Sequence, residues 1–298
     1  MKKDEEKNKG IIALISLAVV YGILPLIPRY LSTSFELLQQ VYLRMFAGFL
    51  ISFLIFRKRI DLNKLLNLPH REWGIIILRA AIYYLLGVTL YTQALLLTKI
   101  SNVVLIGAIP STAILGFILL REKITFKKIL LVLMSVLGVF IISIKDFSNL
   151  FSFGLGETVA LLSTLFVSLG LISRRWQTKE LNDKEISTSM LFFAALLIFI
   201  TSLLKGDGLP LNNWGLGVFL TLLLGGLLNA GVSFFMNYGF SRVNAVLASN
   251  ILATEPVFAA FFAFLVFREL PIPKELAGGL IIISSAIMMN KLESKNNE

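Results

Sequence analysis

The sequence predicts an all-α integral membrane protein: ten transmembrane helices forming two inverted five-helix repeats, with both termini cytoplasmic. Three observations carry this expectation: an excess of apolar residues, their grouping into ten runs, and a lopsided distribution of Lys and Arg between loops. The 298-residue chain is 56% hydrophobic and only 15% charged, with a mean hydropathy of +0.82. A soluble domain carries about 25% charged residues, because polar groups must cover much of its surface. Most of this chain therefore has lipid as its solvent.

A helix needs about 20 apolar residues to cross the hydrocarbon core. Runs of this order span residues 10–28, 35–56, 74–97, 100–120 and 129–144 in the first half. The second half supplies 154–173, 186–204, 214–240, 245–267 and 276–290. The fifth and tenth are the shortest and need their polar flanks to cross. Residues 1–9 are charged, and the run after them lacks a small-residue cleavage site, so it reads as a retained helix.

With the N-terminus inside, the inner segments hold 20 of the 28 Lys and Arg and the outer ones 6; Arg44 and Arg79 lie within helices. Cytoplasmic loops are the ones enriched in Lys and Arg, which puts both termini in the cytoplasm. Basic loops facing anionic lipid also account for the net charge of +10 without nucleic acid as a partner.

The chain repeats itself at an offset near 146 residues. Gly10 maps on Gly156, the segment from Tyr21 to Arg29 on that from Val167 to Arg175, and Pro110 on Pro256. Leu119-Leu-Arg-Glu122 meets Val266-Phe-Arg-Glu269 one residue out of step. The repeats run over residues 10–144 and 154–290. Five helices each is an odd number, so the halves must have opposite topology, a building plan of many secondary transporters.

On these phrases the sequence resembles the drug/metabolite transporter superfamily, specifically proteins with two EamA-type repeats. The fourth-helix proline running into Arg121-Glu122-Lys123, Ala253-Thr-Glu-Pro-Val257 running into Arg268-Glu269-Leu270, and Arg44 in the second helix carry the resemblance. One departure is Tyr21-Gly22, where such proteins usually have tryptophan-glycine. The resemblance implies a substrate that is an amino acid, a related metabolite or a small organic cation, and export rather than uptake.

Enzyme chemistry lacks its residues. All five aspartates lie in loops or the N-terminal tail, there is no cysteine, and the one histidine, His70, lies in a polar loop. Metal-assisted hydrolysis has no ligand set. No Gly-x-x-x-x-Gly-Lys-Ser/Thr loop exists to couple ATP. No cofactor or metal is expected.

Glu255 stands near the centre of the ninth run, immediately before Pro256. A central charge costs roughly 2.5–3.5 kcal/mol on insertion scales, so a partner, water or a proton must compensate. It reads either as a substrate or coupling group or as a structural lock on its helix. Arg44 reads equally as a fork for a substrate carboxylate or as the partner of Glu255. Arg79, six residues past Trp73, reads as snorkelling to the cytoplasmic interface. Tyr21, Tyr83, Tyr91 and Gln93, with Asn229, Asn237 and Asn250, complete the candidate substrate or coupling set. Each also has a bland use as interhelical glue. Pro110 and Pro256 mark the matched broken helices that point to a midplane site.

The expected function is secondary active transport, with efflux of a small molecule across the cell membrane by alternating access. Protons are the candidate driver, and lipid is the surrounding partner. A channel, or a scaffold protein without transport, is the alternative. Gly278-Gly279 suits either a homodimer contact or internal packing.

The loop charges make the topology testable. Cysteines at Asn182 and Asp207 in this cysteine-free chain should react with impermeant maleimide from opposite sides, the first from the cytoplasm only. Labelling of both from one side would contradict the ten-helix arrangement.

Overall fold

The computed structural model describes residues 2–107, 109, 111, 115, 119, 125–143, 154–177, 180–243, 248, 251–252, 254–268 and 272–296. Every regular element among them is helical. α1 (Lys2–Ile23) turns at Leu24-Pro25 into α2 (Leu26–Leu31), since a proline has no N–H to continue a helical ladder. α3 (Leu37–Phe56) starts at a capping box between Glu36 and Gln39. A short α4 (Leu62–Leu66) crosses the loop and leads to the third span.

That span runs unbroken from His70 to Leu97 but changes its winding. It comprises α5 (His70–Ala80), a π-helical stretch Ala81–Val88, and α6 (Thr89–Leu97). α7 (Ile100–Gly107) and α8 (Phe126–Ser143) complete the first half. The second half holds α9 (Leu155–Ile172), α10 (Asp183–Lys205), α11 (Leu216–Arg242), α12 (Glu255–Phe267) and α13 (Pro273–Asn296). α10 opens on an Asn182–Glu185 capping box and closes on Gly206 at φ 87°, a left-handed cap that glycine adopts without strain.

Six of these spans are long and apolar enough to cross a membrane: Glu5–Leu31, Leu37–Arg59, His70–Leu97, Leu155–Trp176, Asp183–Lys205 and Leu216–Arg242. They coincide with the first three and the sixth to eighth apolar runs of the sequence. The fourth and ninth runs pass through residues outside the described set. α13 is longer than the tenth apolar run because a helix, once formed, can carry polar residues such as Lys291 out into water.

The polarity of the bundle is inverted relative to a soluble protein. Leu54, Ile55, Phe126 and Leu216 are exposed, while Arg44, Arg79, Asn229, Ser233 and Asn237 are buried. Polar groups turn inward because lipid cannot satisfy them. The three polar residues of α11, spaced four apart, share one buried face, as their spacing predicts.

Packing relies on close backbone approach. α3 lies against α10 and α11, α1 against α11 and α12, α9 against the π-helical stretch and α6, and α13 against α8. Gly10, on α1, sits against Gly239, Arg242 and Val243 at the end of α11. Gly156, its repeat mate on α9, sits against Leu97 and Thr98 at the end of α6. The first helix of each repeat thus crosses the end of the third helix of the other. Gly278 belongs to internal packing: its carbonyl lies 2.7 Å from where a Cβ on Gly138 would stand.

The α3–α11 crossing is the tightest test of this packing. A Cβ on Gly226 would stand 2.6 Å from Ala47 Cβ and 2.9 Å from the Ala47 backbone, so the helices would have to part. Gly226→Val should cost about 1–3 kcal/mol through overpacking, read as a lower unfolding midpoint in detergent. An unchanged midpoint would show that the crossing tolerates a larger side chain at this position.

Candidate functional site

A cavity of about 90 Å³ lies where the two halves meet, enough for several waters or part of a small solute. Tyr21 of α1, Tyr83 and Val88 of the π-helical stretch and Tyr91 of α6 line it from the first half. Ser163, Thr164 and Ser168 of α9, Asn229 of α11 and Glu255 of α12 line it from the second.

The winding of the third span sets the tyrosines. α9 approaches the π-helical stretch at two glycines: a Cβ on Gly170 would stand 2.6 Å from Tyr83 Cβ, and one on Gly87 3.0 Å from Val167. Ser163 Oγ donates to the Gly87 carbonyl at 2.9 Å, satisfying a backbone acceptor inside that stretch. π turns recur at functional sites, and this one presents Tyr83 to the cavity. Tyr83 and Tyr21 share a hydroxyl hydrogen bond of 2.6 Å across 62 residues of chain. Ser111 and Ser168 make a second hydroxyl pair of 2.5 Å on the cavity wall.

Glu255 owes its place to a broken helix. Leu252 is helical, Thr254 is a turn and N-cap, and Glu255 begins α12 with Pro256 in its first turn. A proline suits that turn because the first N–H groups of a helix lack intrahelical partners anyway. The carboxylate is therefore at a helix start rather than inside a continuous helix, where the positive end of the helix dipole favours it. Among the described residues Glu255 makes no hydrogen bond or ion pair, and it faces the cavity.

Arg44 does not pair with it. Arg44 is 1% exposed and donates through Nε to the Gln40 carbonyl (3.1 Å) and through Nη2 to Thr92 Oγ1 (2.9 Å). It lies outside the cavity lining, as do Gln93 and Asn237. Pro110 and Asn250 lie outside the described residues.

Arg79 corrects an expectation. It does not snorkel but is fully buried, donating to Ser173 Oγ (3.2 Å), Gln177 Oε1 (2.6 Å) and Asn237 Oδ1 (2.9 Å). The second half supplies all three acceptors, so the guanidinium needs no water. This explains Asn237, which serves as wiring between halves rather than as cavity wall. The sequence reading missed Ser163, Thr164 and Ser168. Their spacing on one face of α9 is the same kind of signal as the polar face of α11.

Both ends of the bundle carry polar ties. At the end where α1 begins, Arg242 joins Glu6 (2.9 Å) and Asp183 (2.7 Å), and Asp183 joins Arg174 (2.9 Å). At the opposite end, Glu157 accepts from Thr98 Oγ1 (2.5 Å) and Asn102 Nδ2 (3.0 Å), and Arg29 donates to the Thr98 carbonyl (2.9 Å). No group of three His, Cys, Asp or Glu that could hold a metal ion occurs among the described residues.

The EamA-like transporter family model matches residues 8–144 and again residues 154–291. The chain belongs to the EamA-like transporter family. An uncharacterized transporter of Synechocystis is 26% identical over 79% of this chain and 70% of its own. The S-adenosylmethionine uptake transporter of Rickettsia felis is 24% identical over 90% of this chain and 87% of its own. Its namesake in Rickettsia prowazekii is 23% identical over 96% and 94%. One crystal structure superposes with a TM-score of 0.70 at 15% identity, covering 98% of this chain and 99% of that one, which establishes a shared fold. This EamA-like chain is thus a multi-pass membrane transporter rather than an enzyme.

The Arg79 cluster gives a stability test. Arg79→Leu strands two buried amide oxygens, each costing about 1–3 kcal/mol. The unfolding midpoint in detergent should fall clearly, and Arg79→Lys should recover part of the loss. A Leu variant as stable as the wild type would show that the cluster is not a structural tie.

Proposed function

We propose that this chain is a secondary active transporter of the cell membrane that moves a small organic cation or amino-acid-like metabolite by alternating access. In this reading ten helices cross the bilayer as two inverted repeats, and both termini are cytoplasmic. One observation carries it: Glu255, a carboxylate without a partner among the described residues, faces a cavity walled by both halves of the chain. A charge that the protein leaves unmatched inside a membrane is matched by something that comes and goes, a substrate cation or a proton.

The lining favours a cation. Three tyrosines surround the same space, and aromatic faces attract cations, whereas no Lys or Arg is among the described lining residues. Three relatives named as S-adenosylmethionine uptake transporters point the same way, since that metabolite is a sulfonium cation. Those names also weigh against export as the fixed direction. In an exchanger or proton-coupled carrier the gradients set the direction. The two polar ties, one at each end of the bundle, are suited to open in turn while the cavity stays put.

The test is reconstitution. Proteoliposomes should accumulate at least one cation from a panel of S-adenosylmethionine, basic amino acids and small amines when a pH gradient is imposed. Glu255→Gln, which mimics the protonated acid, should abolish that accumulation while sparing exchange at equal pH. Full pH-driven transport by Glu255→Gln would remove Glu255 from coupling. Transport of anionic metabolites alone would overturn the cation reading.

A further inference from the structure

A second set of buried polar groups lies behind the cavity wall, and the transport reading does not use it. Gln40 and Arg44 stand four residues apart on α3 and so share a face. Both are essentially inaccessible, at 0% and 1% exposure. Arg44 Nε and Nη2 are committed to the Gln40 carbonyl and to Thr92 Oγ1. A guanidinium has five N–H groups, so most of its donor capacity is left over. No acidic residue pairs with it among the described residues.

The Gln40 side chain is less satisfied still: among the described residues neither Oε1 nor Nε2 has a hydrogen-bond partner. Buried side-chain amides in native proteins are almost always bonded, and an orphan calls for an explanation. The niche is bounded by α6 through Thr92 and by α11 through Gly225, where a Cβ would stand 3.1 Å from Arg44 Cδ. Gly225 also ties the niche to the cavity. Its carbonyl accepts from Nδ2 of Asn229, one turn along α11, and Asn229 lines the cavity.

Water alone would satisfy the amide and leave the positive charge unbalanced in a membrane interior. An anion balances the charge and accepts from Nε2 of the amide as well. From the juxtaposition of the buried, acid-free Arg44 guanidinium and the unbonded Gln40 amide, we infer a binding niche for a small monovalent anion, a carboxylate or a halide. The carboxylate belongs to a transported molecule or to a free acid; the halide is chloride. The donors fit either: the guanidinium presents its remaining N–H groups and the amide adds Nε2. Thr92 orients the fork by holding Nη2. The inference goes beyond the transport reading and does not depend on it.

The experiment measures binding without transport. The full chain, purified in detergent in a HEPES buffer whose bulky sulfonate cannot enter, is titrated with sodium acetate and, separately, with sodium chloride. The unfolding midpoint of the wild type should rise by roughly 5 °C near hundred-fold saturation. A rise with acetate alone marks a carboxylate niche, and a rise with both marks one that also takes halide. Gln40→Leu breaks no side-chain hydrogen bond, so it should fold as well as the wild type in HEPES while binding the anion about tenfold more weakly or worse. Arg44→Gln, where it folds, should not respond. A wild type indifferent to both anions, or a Gln40→Leu variant with the wild-type response, would overturn the niche. Either result would leave reconstituted transport, and with it the cation reading, untouched.

Discussion

Lipid offers no hydrogen bonds, and the rest of this structure depends on that constraint. Every backbone N–H and C=O within the bilayer must be satisfied by the chain itself, which leaves helices as the means of crossing. The same solvent removes the hydrophobic drive between helices, so association must come from close packing and from polar contacts. Both appear where α3 meets its neighbours. Gly48 and Gly226 bring α3 and α11 together, and Ser52 shares a 2.7 Å hydrogen bond with Thr188 of α10.

The buried charges show three ways of living with that solvent. Arg79 is surrounded by neutral acceptors from the other half of the chain and holds the halves together. Arg44 is only partly satisfied, and its neighbour Gln40 is not satisfied at all through its side chain. Glu255 is left facing a cavity. This gradation separates structure from function better than residue type does. A charge tied through each of its nitrogens to the other half stabilises one arrangement, whereas an unmatched one keeps free energy available for a visiting ion.

The first helix of each repeat crosses the end of the third helix of the other, through Gly10 on one side and Gly156 on the other. Ion pairs of Arg242 with Glu6 and Asp183 take part in holding one end, and hydrogen bonds from Thr98 and Asn102 to Glu157 take part in holding the other.

Much of this protein was legible in its sequence because solvent acts on composition directly. Apolar runs had to become helices, polar residues spaced by four on α11 had to face inward, and Pro256 had to interrupt its run. Five candidate residues, Tyr21, Tyr83, Tyr91, Asn229 and Glu255, line one cavity. The rest depended on which helices became neighbours. Sequence spacing marked Arg79 as close to an interface but could not reveal Ser173, Gln177 and Asn237 around it, since those acceptors lie 94 to 158 residues away. Nor could it separate Arg44 from Glu255, because two opposite charges at similar depth pair only if packing brings their helices face to face. The π-helical winding before Thr89 was equally invisible, and it lies where α9 comes closest, at Gly87 and Tyr83. Solvent reads a sequence one residue at a time; a binding site is read only from contacts between distant ones.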